Sequence, residues 1–241
     1  NRTEPRPRTP WIWVPSLYLA EGLPYVVVMT VSVIMYKGFC ISTTDIALYT
    51  SWLYLPWVIK PLWSPVVDLL GTRRRWIWAM QLLIGGGLAG VALAVPVPHF
   101  FRWTLAFFWL LAFNSATHDI AADGFYMLAT NEGQQAFFVG VRSLFYRIAT
   151  IAGQGLLVML AGTIESRTGN LRLAWSVVMG VLAVSFVLFG IWHRFVLPRP
   201  ASDRPGEARR IPHFVGEFLG TFGSFFRKPR ILVLMLFLLL Y

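Results

Sequence analysis

Six ionisable residues stand inside long apolar stretches: Glu21, Lys60, Asp119, Asp123, Arg142 and Arg147. Three are acids and three are bases. A charge at the centre of a bilayer costs about 2.5–3.5 kcal/mol on insertion scales, so such groups face protein or water and sit near a partner. A matched set spread over four helices is what a polar pathway through a helical bundle requires. Asp119 and Asp123 are spaced i, i+4 and share one helix face. The expected pairs are Asp119 with Arg142, and Glu21 with Lys60 or Arg147. The surplus base is then free for an anionic solute, and Glu21 or Asp119 can carry a proton. His118 points away from Asp119 and reads as a packed polar histidine. Gln154 is placed to hydrogen-bond a solute.

These groups need apolar helices to hold them. Hydrophobic residues make up 56% of the chain and charged residues 13%, against about 25% charge in a soluble domain. Hydropathy places helices at 11–36, 46–69, 76–96, 101–126, 136–161 and 173–197, an all-α polytopic membrane protein. At 1.5 Å rise per residue, Glu21, Lys60 and Arg147 lie about 13–16 Å deep and Arg142 about 9 Å deep. The first group is near the midplane, where transporter sites lie. Pro15 and Pro24 kink the first helix; Pro56, Pro61 and Pro65 kink the second.

The net charge of +10 does not indicate a nucleic-acid partner, because the excess lies in short loops. Three arginines precede the first span, Arg73, Arg74 and Arg75 follow the second, and eight basic residues lie between Arg194 and Arg230. The opposite side carries Lys37, Arg102, Arg167 and Arg172. The positive-inside rule puts the N-terminus and the 198–230 segment in the cytoplasm. Cys40 is the single cysteine, so neither an internal disulfide nor a cysteine metal cluster is available. The sequence calls for no cofactor and no metal.

The bundle is expected over 1–197. A cytoplasmic linker follows over 198–230, with an interfacial helix at 211–226. A seventh helix begins at 231–241. That last run is too short to span, and the chain begins at Asn1 without a methionine, so the sequence reads as a fragment. Asp68, beside Gly71 and the arginines Arg73 and Arg74, reads as a latch between helix ends. Asp123 and Arg142 are grouped with them as structural ion-pair or gate residues, Arg142 through its expected pairing with Asp119.

The turn after the second helix resembles the Gly-x-x-x-Asp-Arg-x-Gly-Arg-Arg loop of major facilitator transporters. Ser64 replaces the first Gly, Leu69 replaces the Arg, and one residue is added before the basic cluster. Five ordered motifs are similar to the peptide–acetyl-coenzyme A–drug transporter branch, which includes the AmpG-like muropeptide permeases. They are AEGLPY (20–25), IKPLWSPVVD (59–68), RRRW (73–76), HDIAADGFYML (118–128) and YRIA (146–149). The resemblance implies the N-terminal six-helix half of a twelve-helix fold, with a C-terminal half supplying the opposite wall. It implies proton symport of an anionic solute across a bacterial inner membrane, by alternating access. The solute would be an anhydromuropeptide, within peptidoglycan recycling, or acetyl-coenzyme A or another anionic metabolite. The same residues permit a rival, a membrane-embedded metal-dependent transferase using Asp119 and Asp123, with His118 as base. The transporter reading, no enzyme, is preferred.

Overall fold

Each of the short turns between helices carries its own stop and start signals. In the computed structural model, which describes residues 9–205 together with Gly220 and Ile231, the chain is a bundle of six helical spans. Helix α1 runs Pro10–Gly38, α3 Arg73–Ala94, α4 Phe100–Ala129, α5 Glu132–Thr168 and α6 Leu171–Val196. Between α1 and α3, α2 is a series of short pieces: Thr43–Thr50, Ser51–Tyr54, Leu55–Ile59, Lys60–Leu62 and Ser64–Leu70. Among the described residues there is no strand.

Side-chain caps open α3, α5 and α6. Thr72 accepts from the Arg75 amide at 3.2 Å, and Asn170 accepts from the Leu173 amide at 3.0 Å. Asn131 and Gln134 form a reciprocal capping box, at 2.9 and 3.1 Å. Such side chains satisfy backbone donors that lack a partner in the first turn. Gly169, at φ +63°, ends α5 in the left-handed region, where glycine carries no steric penalty.

Proline decides where spans bend. Pro24 is followed by a π-helical turn at Val27–Val31, so α1 is deformed without being cut. In α2 the three prolines remove ladder donors, and the helix breaks into α and 3-10 pieces. The 3-10 turn Lys60–Leu62 carries Lys60 at the break.

Four helices, α1, α3, α5 and α6, are long and apolar enough to cross a membrane. The other two expected spans differ for separate physical reasons. α2 is not one continuous helix. α4 has 30 residues, ample length, but Asn114, Ser115, His118, Asp119 and Asp123 reduce its apolarity. Observed boundaries extend the expected α4 and α5 by several residues: α4 runs on to Ala129, and α5 begins at Glu132, behind its capping box, and runs on to Thr168.

Packing places α3 between α4 and α6. A Cβ on Gly85 would lie 3.1 Å from the Ala183 carbonyl, and one on Gly87 3.0 Å from Leu111, so both neighbours approach the α3 backbone. α1 packs on α5 by the same device. A Cβ on Gly22 would meet Ala149 Cβ at 2.9 Å, and one on Gly153 would meet Val26 at 2.7 Å. The apolar core has two parts. The larger gathers Val31, Met35, Leu88, Phe108, Leu111, Met179 and Phe186. The smaller gathers Trp13, Leu17, Ile77, Phe125, Phe138 and Leu197.

Residues 198–205 fold back onto the bundle. Asp203 accepts hydrogen bonds from the Arg73 and Arg74 amides at 2.8 and 3.1 Å. These residues are the start of the expected linker at 198–230, and Asp203 among them serves the first turn of α3. Apart from Gly220 and Ile231, the expected interfacial helix at 211–226 and the helix starting at 231 lie outside the described residues.

Candidate functional site

Three acids stand on α1 and α4, and two bases, Lys60 from α2 and Arg142 from α5, reach two of them, while Arg147 of α5 lines the same cavity as Glu21. Glu21 sits one residue before the close approach of Gly22 to α5, which sets it against Tyr146. It is 9% exposed, and its Oε2 is buried without a hydrogen-bond partner among the described residues. Asp119 and Asp123 project from α4 one turn apart.

The ion pairing corrects the sequence expectation. Arg142 pairs with Asp123, not Asp119. Its guanidinium lies over the rings of Tyr18 and Tyr126, 4.2 and 4.5 Å from their centres. Tyr18 donates to Asp123 at 3.3 Å. Tyr126 follows Asp123 by three residues on α4, so this aromatic slot holds Arg142 level with Asp123. Asp119 is left to Lys60, whose Nζ lies 3.9 Å from Oδ2. The distance is beyond a hydrogen bond, and the Lys60 side chain is 36% exposed. Glu21 joins neither base: it takes part in none of the three ion pairs among the described residues, and the same holds for Arg147.

A cavity of about 700 Å³ opens between α1 and α5, lined by Tyr18, Glu21, Arg142, Ser143, Tyr146, Arg147 and Thr150, with Val139 and Ile151. Its polar groups are a carboxyl, two guanidiniums and several hydroxyls. Such a wall can hold an anion on Arg147 while hydroxyls orient its polar body. Gln154 does not line it; that residue is exposed where α5 breaks at Gly155. The solute-binding role expected of Gln154 therefore has no support in this geometry.

His118 is 1% exposed and meets Gln81 at 3.0 Å, in keeping with a packed polar histidine. Both aspartates face cations, the reverse of what a divalent-metal centre of a transferase requires. At the far end of α2, Arg73 binds Asp68 through Nε at 2.9 Å and through its terminal nitrogen at 2.8 Å. It also donates to the Gly124 carbonyl at 3.0 Å, so one arginine joins the ends of α2, α3 and α4. Arg74 turns elsewhere: it donates to the carbonyls of Leu197 and Arg194 at the end of α6.

Sequence reasoning missed Tyr18, Tyr126, Tyr146, Ser143 and Thr150 as site residues. Aromatic and hydroxyl side chains are common in apolar helices and carry no charge signal. Gln81 and His193 were also missed, although a polar residue inside an apolar run was a usable signal.

Comparison with known proteins agrees with this architecture. The Major Facilitator Superfamily family model matches residues 16–241. An anhydromuropeptide permease of Escherichia coli is 30% identical over 110 residues, covering 44% of this chain and 22% of the permease. An uncharacterised protein of Schizosaccharomyces pombe is 30% identical over 154 residues, covering 56% of this chain and 28% of that protein. An uncharacterised membrane protein of Saccharomyces cerevisiae is 30% identical over 139 residues, 45% and 24% respectively. The chain thus spans about a quarter of the length of the curated relatives it matches. With a helical bundle, apolar spans and a family match over most of its length, this chain belongs to the major facilitator superfamily.

Proposed function

We propose that this chain forms one half of a proton-coupled importer of an anionic solute, with Arg147 as the anion-binding group and Glu21 as the proton carrier. The observation that carries the reading is the pairing pattern. Lys60 and Arg142 are engaged by Asp119 and Asp123, while Glu21 and Arg147 line one cavity and take part in no ion pair among the described residues. Once Glu21 is neutral, the six-charge cluster carries one net positive charge, and an anion restores balance. Lys60, held loosely, is a second contact for the solute, which would compete with Asp119 for it. Asp119 would then be a second place for a proton.

The solute favoured is an anhydromuropeptide, which combines a carboxylate with a hydroxyl-rich body; the Escherichia coli relative carries that solute's name. Acetyl-coenzyme A or another anionic metabolite would use the same arginine. The rest of the reading is a twelve-helix transporter, with a second half closing the site and alternating access between the two. It sits in a bacterial inner membrane with the N-terminus in the cytoplasm.

The test is uptake of labelled anhydromuropeptide into vesicles containing the full-length transporter, with and without an inward proton gradient. Gradient-dependent uptake that Arg147→Gln abolishes and acetyl-coenzyme A does not compete supports the reading. Gradient-independent uptake removes the proton, and absence of uptake alongside acetyl-coenzyme A uptake removes the muropeptide.

A further inference from the structure

A chain of hydrogen bonds, buried from His193 to His118 and half-buried at Ser16, crosses the bundle without touching the solute cavity. Ser16 Oγ on α1 lies 3.0 Å from His193 Nε2 on α6. His193 Nδ1 lies 2.9 Å from Gln81 Oε1 on α3. Gln81 Nε2 lies 3.0 Å from His118 Nε2 on α4. Gln81 and His193 are fully buried. An amide oxygen only accepts and an amide nitrogen only donates. His193 therefore donates from Nδ1, and His118 accepts at Nε2. His193 Nε2 is left to accept from the Ser16 hydroxyl, whose single proton it shares with the Trp13 carbonyl at 3.2 Å. In an apolar interior each link strengthens the next, and a broken link strands polar atoms that water cannot reach. The four helices are thereby tied. α5 is fastened to the same group by Arg142 with Asp123 and by the close approaches of Gly22 and Gly153.

α2 has no share in this chain. Its last piece, Ser64–Leu70, is pinned: Arg73 binds Asp68, and Trp76 Nε1 donates to the Val67 carbonyl at 2.9 Å. Trp63 beside it donates to Thr117 at 3.3 Å. The part before the break rests on its neighbours by apolar packing, with Ile46 and Leu53 in the larger core, Trp57 edge-on to Tyr25 and Tyr49 edge-on to Phe101, centroids 5.2 and 5.6 Å apart. Apolar packing of this kind is non-directional. Between the two parts lies the 3-10 turn Lys60–Leu62, flanked by prolines that remove ladder bonds.

We propose that the Ser16–His193–Gln81–His118 chain ties α1, α3, α4 and α6 into one frame, and that residues 43–59 of α2 move against it as an arm. The pivot is Lys60–Leu62. All three intramembrane acids stand on frame helices, and Lys60 is the base carried by the pivot. Arm movement therefore makes and breaks the Lys60–Asp119 contact and leaves Arg142 on Asp123.

Spin-label distances test this without any solute, so the outcome is separate from the transport reading. The full-length transporter, with Cys40→Ser, is reconstituted in lipid nanodiscs. Nitroxide pairs are placed at the exposed positions Leu83 with Val181 and Leu48 with Leu110. The frame pair 83/181 gives one narrow distance, and the arm pair 48/110 gives two populations. An arm pair as narrow as the frame pair overturns the arm. Gln81→Met broadens the frame pair at least twofold; an unchanged width overturns the tie. Should Gln81→Met fail to fold, His193→Asn, whose amide nitrogen replaces the Nδ1 donor, keeps the narrow distance while His193→Phe broadens it. Equal widths in those two variants overturn the tie as well.

Discussion

Removing the Arg142 guanidinium costs more stability than removing the charge it pairs with. The reason is the surroundings of each. The Asp123 side chain is 48% exposed and that of Arg142 24%. Solvent screening limits such a pair to about 0.2–1 kcal/mol. Arg142 also sits over two rings, at 4.2 and 4.5 Å, each contact contributing about 0.5–1 kcal/mol where partly solvated. Arg142→Gln loses all three interactions, about 2 kcal/mol, whereas Asp123→Asn loses the pair and keeps the rings. For a chain of this size 1 kcal/mol corresponds to roughly 2–4 °C in Tm. Thermal unfolding of the purified protein, followed by tryptophan fluorescence, is therefore expected to fall by roughly 4–8 °C for Arg142→Gln and by less than roughly 4 °C for Asp123→Asn. The double variant should resemble Arg142→Gln alone. Losses of equal size in the two single variants would refute the reasoning. They would mean the pair behaves as a buried one, where stranding either partner costs about 3–5 kcal/mol.

Other outcomes follow from the packing and the turns. Gly153→Val drives a side chain into Val26, already 2.7 Å from a Cβ at that position; overpacking of this kind costs about 1–3 kcal/mol, and folded yield should drop while Gly162→Val, in open space, leaves it unchanged. Asp203→Ala removes the acceptor of two α3 amides, an N-cap loss of about 0.5–2 kcal/mol, and limited proteolysis should then cut near Pro205 faster than in the parent. With Cys40 replaced, a cysteine at Ser202 should resist impermeant thiol reagents in intact cells while one at Arg167 reacts; the reverse pattern would invert the proposed orientation.

The frame was largely legible because bilayers exclude charge. Apolar stretches separated by short polar turns marked six helical spans, and prolines marked both α1 and α2 as bent, of which only α2 breaks into pieces. The site was legible in composition and not in pairing. Asp119 and Asp123 differ by one turn, about 5–6 Å along the axis, which is within the error of helix boundaries read from hydropathy. Only the Tyr18–Tyr126 slot distinguishes which of them meets Arg142, and no charge pattern announces two tyrosines facing across α1 and α4. Asp203 was hidden for a different reason. Its role depends on the chain turning back after α6, whereas composition alone reads the stretch from Pro198 as an open linker. His193 sits near a basic helix end, where histidine is unremarkable until Gln81 is found beside it.

The central claim is that a proton on Glu21 and an anion on Arg147 enter together. Solute-driven proton movement measures it most directly: full-length transporter in proteoliposomes containing a pH dye, with anhydromuropeptide added outside. The account predicts acidification of the lumen on solute addition. In Glu21→Gln the acidification should be lost while exchange of labelled for unlabelled solute continues. Acidification that persists undiminished in Glu21→Gln would contradict it.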